Sequence, residues 1–188
     1  MTAATLPPLA AAFAARAASV GTQTHPTPRA AAATRIERLL AAERAGRVAL
    51  DAETRACLPA LAPALVDAGR AVLPAASDAS VLAAAEAGIS WAAFGVAESG
   101  SVVLATPAAG DRLVSMLPPL HLVLLRQSDL VPDLDAAAER LRAWTAGTVQ
   151  QRYVSLVTGA SRTSDIERVL TIGVHGPRVH HVLLVTDE

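Results

Sequence analysis

The chain has 188 residues and contains no lysine and no asparagine, so all 16 of its basic residues are arginine. The absence of lysine excludes a P-loop phosphate site, a Schiff-base nucleophile and covalent attachment of pyridoxal phosphate, because each needs a lysine amine. The absence of asparagine excludes N-glycosylation and Asn–Gly hairpins. A genome of biased base composition explains both absences more simply than a functional requirement does.

Cysteine and aromatic residues are scarce as well. The one cysteine, Cys57, cannot form an intramolecular disulfide or hold an iron–sulfur cluster alone, and we expect it to be a small core residue. Aromatic residues make up 3% of the chain and hydrophobic residues 52%, so Ala, Val and Leu must form the core around Trp91 and Trp144. We expect no metal site, because HExxH-like spacing is absent and the adjacent His180 and His181 face opposite sides of a strand.

Charge and hydropathy narrow the possible partners. The net charge is −1 and the arginines are scattered, so we expect no nucleic-acid binding. No apolar run is long enough for a membrane span, and the apolar segment 6–20 is a poor signal peptide because it contains Pro7, Pro8 and Arg16. A dinucleotide fingerprint is also missing. These observations predict a cytoplasmic protein without a membrane span.

The pattern of helices and strands predicts an α/β fold. Residues 1–33 are rich in Ala, Thr and Pro, which predicts a partly helical or mobile tail with a helix at 9–18 and an extended segment at 23–28. The remaining residues, 34–188, are predicted to form a single α/β domain. The apolar runs 121–125 and 182–185 lack alternation, as is typical of strands buried on both faces. We therefore predict a three-layer α/β/α domain with a mixed, largely parallel sheet.

The individual elements follow from periodicity and from Gly and Pro positions. Predicted strands cover 47–50, 71–73, 89–97, 102–106, 121–126, 153–157 and 181–186. Predicted helices cover 34–45 with Thr34 as its N-cap, 54–68 with breaks at Pro59 and Pro63, a segment from Ser77 or Ser80 to Gly88, and 133–143. Residues 113–117 are predicted to form a short helix or a turn.

A polar loop follows the strand predicted at 153–157 and runs from Gly159 to Glu167. Ser164 and Glu167 have capping-box spacing, which predicts a helix that begins at Ser164. Backbone N–H groups at a helix N-terminus attract anions, and an arginine can bind a carboxylate or phosphate through two parallel N–H bonds. We therefore predict that the 159–167 loop binds a small anionic ligand, a carboxylate or a phosphate, through Ser161, Arg162, Thr163, Ser164 and Asp165.

Structural roles remain open for each of these loop residues. Arg162 could lie on the surface or pair with a nearby carboxylate, and at least one hydroxyl could simply cap the helix. Asp165 would be stabilised in the first helical turn by the dipole.

Glu98 and His175 are the candidate catalytic residues. Glu98 follows a predicted buried strand and precedes Ser99 and Gly100, and carboxylates at strand ends lie near ligand crevices in α/β sheets. It could act as a general acid or base or as a nucleophile, or it could fix a turn by accepting bonds from backbone N–H groups. His175 precedes Gly176 and could act as an acid or base, or could bond to a loop carbonyl. Ser99, Gly100 and Gly176 are predicted to contact the ligand.

Three segments of the chain together resemble the LUD-domain family, and within it the lactate-utilization-C group. The typical family wording is GPSRTADIE, then GVHGP, with AETGT upstream. The matching segments here are 159–167, 173–177 and 97–101, with Ala160, Ser164, Ser99 and Ser101 as small substitutions. The resemblance implies the fold of glucosamine-6-phosphate deaminase, ribose-5-phosphate isomerase and the CoA transferases.

The resemblance also implies a function. The chain would belong to a multi-protein system that oxidises L-lactate to pyruvate, with the iron–sulfur clusters in partner proteins and no cofactor of its own. Its own task would be to bind the anionic ligand or to complete the assembly. One alternative is a free-standing transferase or ligase of the same fold that acts on a CoA ester, folate or phosphosugar, with Glu98 catalytic. Another is a non-catalytic interaction subunit whose polar loop only caps a helix.

Overall fold

The structure, a computed structural model, describes residues 6–74, 78–106, 108–146, 153–164, 170–173 and 175–187. The α-helices in these ranges are α1 (Pro8–Ser19), α2 (Ala32–Ala42), α3 (Ala52–Cys57), α4 (Leu61–Asp67), α5 (Ala79–Leu82), α6 (Ala109–Val114) and α7 (Leu134–Ala146), and short 3-10 helices cover Arg29–Ala31 and Gln127–Asp129. The strands are β1 (Thr22–Thr27), β2 (Arg47–Leu50), β3 (Ala71–Val72), β4 (Ala87–Trp91), β5 (Phe94–Val96), β6 (Ser101–Thr106), β7 (Leu120–Arg126), β8 (Leu130–Val131), β9 (Tyr153–Val157), β10 (Arg162–Ser164), β11 (Leu170–Ile172) and β12 (Val179–Val185).

Six of the strands form one parallel sheet, in the order β1-β12-β7-β4-β2-β3. Its central strands are buried on both faces, which explains their continuous apolar sequences. Helices α2 and α4 cover one face, where Ile36, Leu40 and Leu61 pack with Ile89 and Leu122. Helix α1 and a second sheet cover the other face. This arrangement confirms the predicted α/β fold with a largely parallel sheet flanked by helices.

The second sheet has four strands in the order β8-β5-β6-β9 and is mixed. β5 runs parallel to β8, while β6 runs antiparallel to both β5 and β9. Phe94, Val96 and Val103 from this sheet form a separate small core with Ala137 of α7. The second sheet therefore lies between α7 and the parallel sheet.

Residues 8–27, which composition set apart as a tail, contribute to the same layers. The helix expected at 9–18 and the extended segment expected at 23–28 are both present, as α1 and β1. Phe13 and Ala17 of α1 are fully buried, and β1 pairs with β12 along its whole length.

The prediction of one continuous strand at 89–97 is wrong, because this segment forms two strands, β4 and β5. The Ala92 N–H bonds to the Leu124 carbonyl in β7, whereas the Ala93 N–H bonds to the Val103 carbonyl in β6. The chain thus changes partner strands between two consecutive residues. β4 therefore ends in the parallel sheet, and β5 begins in the second sheet.

Two helix boundaries also differ from those predicted. α2 begins at Ala32 without a side-chain cap, so Thr34 is not its N-cap. α5 ends at Leu82, and Gly88 lies inside β4 rather than at a helix end. A Cβ at Gly88 would lie 1.9 Å from the Val114 carbonyl oxygen, so glycine lets α6 approach the sheet closely.

The prediction that a helix begins at Ser164 is wrong. Arg162–Ser164 form β10, which pairs antiparallel with β11. Residues 165–169, and with them Asp165, lie outside the described residues. Local capping-box spacing was overridden here by strand pairing, so Ser164 does not start a helix. Of the helices that the structure describes, none is long and apolar enough to cross a membrane.

Candidate functional site

The described residues of the segments that carry the family resemblance meet at the amino edge of the parallel sheet. We call this region the motif corner and define it as residues 98–101, 158–162, 173 and 175–178. The Ser101 hydroxyl lies 2.6 Å from the Thr158 hydroxyl and 2.8 Å from that of Ser99. These hydroxyl contacts join the turn after β5 to the segment after β9.

Backbone contacts tie the rest of the motif corner together. The Ser161 N–H donates to the Pro177 carbonyl at 2.8 Å, and the Gly173 N–H donates to the Ser161 carbonyl at 2.8 Å. A Cβ on Gly176 would lie 2.9 Å from that of Ser161. The structure therefore brings together the two segments predicted to hold the ligand, but with the Ser161 N–H already used inside the protein.

Arg162 and Gly159 connect the motif corner to the α1–β1 junction. The Arg162 guanidinium donates to the Val20 carbonyl. Gly159 adopts a positive φ of 79°, and a Cβ there would lie 2.4 Å from the same carbonyl. Arg162 thus has a structural partner. Its role in ligand binding, and those of Ser161 and Thr163, stay predictions.

Glu98 lies in the turn after β5 and holds the start of α7. Its Oε2 accepts a hydrogen bond from the Leu134 N–H at 3.0 Å, and its own N–H donates to the Pro132 carbonyl at 3.0 Å. This arrangement matches the turn-fixing alternative considered for this carboxylate. Its contacts lie with α7, whereas His175 is exposed beside the Ser161–Gly176 contact.

We predict that Glu98→Ala lowers the free energy of unfolding by about 1 kcal/mol, because the first turn of α7 loses a capping acceptor. Glu98→Gln should cost less, because its amide oxygen can still accept the Leu134 N–H. Urea unfolding followed by circular dichroism measures both. Equal stability of wild type and Glu98→Ala would show that the cap contributes nothing.

Two buried histidines lie at the amino ends of β7 and β12, next to the motif corner. His121 and His180 occupy paired positions on β7 and β12, with their ring centroids 5.3 Å apart. His121 Nε2 lies 3.1 Å from the Ser90 hydroxyl, and His180 Nδ1 lies 2.9 Å from that of Thr22. Burial lowers the pKa of His180 to about 4 and that of His121 well below its usual value. Both rings are therefore neutral near pH 7.

On the opposite face of the sheet, a second pair of histidines links β1 to β12. His25 Nε2 lies 3.1 Å from His181 Nδ1, and Glu43 of the α2 C-terminus lies 3.8 Å from His181 Nε2. Burial lowers the pKa of His25 to about 4, with the neighbouring His181 acting in the same direction. The pKa of His181 is also lowered by burial, while Glu43 opposes the shift.

The carboxyl edge of the parallel sheet carries a cleft that sequence patterns did not reveal. We call it the carboxyl-edge cleft. It comprises a cavity of about 260 Å³ lined by Glu53, Trp91, Ala92, Ala93, Ala105, Arg126, Asp129 and Trp144. A second cavity of about 450 Å³ lies nearby, between Arg29, Leu58, Leu61 and Asp187.

Two guanidinium groups approach the indole of Trp91. Arg126 is 5.1 Å from the centre of the indole and Arg29 is 6.0 Å from it, within the range of cation–π attraction. Arg126 also lies 3.7 Å from Asp129 and 3.9 Å from the Cys57 sulfur. The thiol of Cys57 donates to Glu53 at 3.3 Å, and burial raises the pKa of this thiol. Cys57 is thus half-buried: it packs against the core and also lies beside the cleft.

Asp51 is a buried carboxyl group at the base of the same edge. It is 1% exposed, and its oxygens accept bonds from the Thr54 N–H at 2.7 Å and the Trp91 N–H at 3.2 Å. Burial raises the pKa of Asp51 to about 6, although these hydrogen bonds oppose the shift. Asp51 joins the start of α3 to the end of β4.

The cleft residues were missed because each follows a different strand. Asp51 comes directly after β2, Trp91 ends β4 and Arg126 ends β7. Polar or aromatic residues at the carboxyl ends of several predicted parallel strands were the signal that could have found them.

The layers and topology define a parallel α/β domain with a second sheet stacked on one face. The family model of the LUD domain matches residues 10–185, and the chain belongs to this family. The resemblance seen in the sequence is thereby confirmed.

Named relatives match part of the chain. It is 37% identical over 105 residues to the uncharacterised protein YkgG of Escherichia coli, across 55% of this chain and 45% of that protein. It is 36% identical over 105 residues to lactate utilization protein C of Bacillus subtilis, across 55% and 44%. The corresponding protein of Geobacillus thermodenitrificans is 33% identical over 121 residues, across 64% and 48%. The chain thus spans about half the length of these relatives.

A solved structure shows the same fold. The crystal structure of a DUF162 family protein from Deinococcus radiodurans superposes with a TM-score of 0.67 at 22% identity, covering 94% of this chain and 96% of that one.

Proposed function

We propose that this protein is a component of a multi-protein system that oxidises L-lactate to pyruvate. The observation that carries the proposal is the similarity to several lactate utilization C proteins, combined with a LUD-family match over nearly the whole chain. The redox chemistry in this proposal belongs to iron–sulfur proteins that bind this chain. A single cysteine, paired with Glu53 at the cleft, supplies too few thiolates for a cluster.

Within this system the chain binds a small anionic ligand. The 159–167 loop is one predicted place for it, through Arg162 and the neighbouring hydroxyls. In the described part of that loop, Arg162 and the Ser161 N–H bind the protein itself, so a ligand there would have to displace or share these bonds. Near the same loop, the Ser99 hydroxyl donates to the buried Ser101 hydroxyl, which also contacts the Thr158 hydroxyl.

Growth of a gene deletion strain tests the proposed function. We expect the deletant to lose growth on L-lactate as sole carbon source and to keep growth on pyruvate, because only the oxidation step is blocked. A plasmid copy of the gene should restore growth on L-lactate. Normal growth of the deletant on L-lactate would remove the assignment.

Affinity purification of the tagged chain from lactate-grown cells tests the partners. We expect proteins that contain iron to co-purify, measured by elemental analysis and mass spectrometry. The tagged chain produced alone in a foreign host is the control for iron bound by this chain itself.

A further inference from the structure

The topology singles out one point on the carboxyl edge of the parallel sheet. After β2 the chain continues through α3 and α4, which lead to β3, and α4 packs on the face covered by α2. After β4 it continues through the second sheet and α6, on the opposite face, and leads to β7. The strand order therefore reverses between β2 and β4. Open α/β sheets bind ligands outside the carboxyl ends of the strands at such a reversal.

The carboxyl-edge cleft lies at this reversal point. Trp91 ends β4 and forms one wall, and its backbone N–H is held by Asp51, the residue that follows β2. Arg126 lies against the indole from the end of the adjacent strand β7. An aromatic wall and a stacked guanidinium on rigid strands form a preorganised place for a planar anionic group.

The charges and volume of the cleft restrict its ligand. A volume of about 260 Å³ lies at the small end for ligand pockets, which suits a small organic acid rather than a coenzyme. The carboxylates of Glu53 and Asp129 line the cavity beside Arg126 and repel a multiply charged phosphate. The same carboxylates can accept a hydrogen bond from a hydroxyl group.

We infer that the carboxyl-edge cleft binds a small 2-hydroxy carboxylate, with its carboxylate on Arg126 and its hydroxyl on Asp129 or Glu53. A guanidinium matches a carboxylate through two parallel N–H bonds, and the ligand competes with Asp129, whose contact with Arg126 is long at 3.7 Å. The inference deepens the proposed function and rests on it for the choice of L-lactate as test ligand. It places the ligand at the opposite edge of the sheet from the motif corner.

The two tryptophans of the chain provide a direct test. The sequence contains only Trp91 and Trp144, and both line this cleft. Titration of the purified protein with L-lactate should therefore give a saturable change in tryptophan emission. We expect Arg126→Ala to raise the dissociation constant for L-lactate at least about tenfold, because it removes a charge-assisted hydrogen-bonding partner of the carboxylate. Arg126→Lys keeps the charge and should show a smaller loss.

One arginine variant and two other ligands serve as controls. Arg38→Ala removes an exposed arginine of α2 and should bind L-lactate as wild type does. Arg162→Ala tests the motif corner as the competing place for the ligand. Phosphate and acetyl-CoA should give no saturable change. Circular dichroism confirms that each variant is folded, and Arg126→Lys replaces Arg126→Ala if the latter unfolds.

Several results would overturn the inference. The inference is wrong if L-lactate does not change the tryptophan emission of the wild type, or if calorimetry detects lactate binding without such a change. It is also wrong if both Arg126 variants keep the wild-type affinity, or if Arg162→Ala is the one variant that loses binding. Growth of the deletant separates the two proposals. A growth defect without a cleft signal retains the lactate assignment and removes the cleft site. Lactate binding in the cleft with normal growth of the deletant retains the site and removes the assignment.

Discussion

Acidification from about pH 7.5 to pH 5 should lower the free energy of unfolding, because buried histidines take up protons only after unfolding. The folded pKa of His180 is about 4, below the value of 6.5 for an unfolded chain. The stability that follows from a lowered histidine pKa is present above the unfolded pKa and is lost as the pH falls toward the folded one. His180 alone then accounts for a loss of about 2 kcal/mol over this interval. His121 acts in the same direction.

Asp51 opposes this loss only in part. Its folded pKa of about 6 lies above its ordinary value of 3.8, so acidification stabilises the fold through this one group. The gain is about 1 kcal/mol between the same pH values, smaller than the combined effect of the buried histidines. We therefore expect a net fall in stability on acidification.

Urea unfolding at several pH values measures this effect. The variant His180→Gln should show a shallower pH dependence than wild type, because one buried titrating group is gone. Constant stability down to pH 5, or equal slopes in wild type and His180→Gln, would contradict the prediction.

Gly100→Ala should destabilise the protein by about 3 kcal/mol or more. Gly100 has a φ of +67°, and a Cβ there would lie 2.5 Å from the Ala17 backbone nitrogen in α1. The left-handed conformation costs an L-residue about 1–2 kcal/mol, and the clash with a backbone atom adds a further cost of overpacking. Chemical denaturation of the purified variant measures the difference.

Gly69→Ala is the matched control for this variant. Gly69 has a φ of +80°, but no atom lies within 4 Å of a Cβ built there. It should therefore lose only the conformational part, about 1–2 kcal/mol. Equal losses in the two variants would show that the contact between Gly100 and α1 is not tight. Gly100 was predicted to contact a ligand, and its packing against α1 gives it a structural reason to be glycine.

The parallel sheet could be predicted from the sequence because its signals are local. The apolar runs of β7 and β12 are continuous, and turn residues bound them. The second sheet could not be predicted in the same way. β4 and β5 form one apolar run, and only the change of partner strand between Ala92 and Ala93 divides them. Such a change depends on residues distant in sequence.

The candidate site shows the same limit. Ser161 and Gly176 could be predicted to lie together because each belongs to a recognisable segment, and the structure brings them into contact. Trp91 and Arg126 meet only because β4 and β7 are neighbours in the sheet. The capping-box signal at Ser164 failed because spacing alone cannot exclude strand pairing with Leu170–Ile172.

The pairing of β1 with β12 has a consequence for biosynthesis. β12 lies between β1 and β7, although β1 is the first and β12 the last of the described strands. While the ribosome is still translating the segments between β1 and β12, the nascent β1 lacks the neighbouring strand with which it pairs in the folded protein. Contacts of such long sequence separation slow folding. β1 therefore cannot pair with β12 until residues 179–185 have emerged from the ribosome.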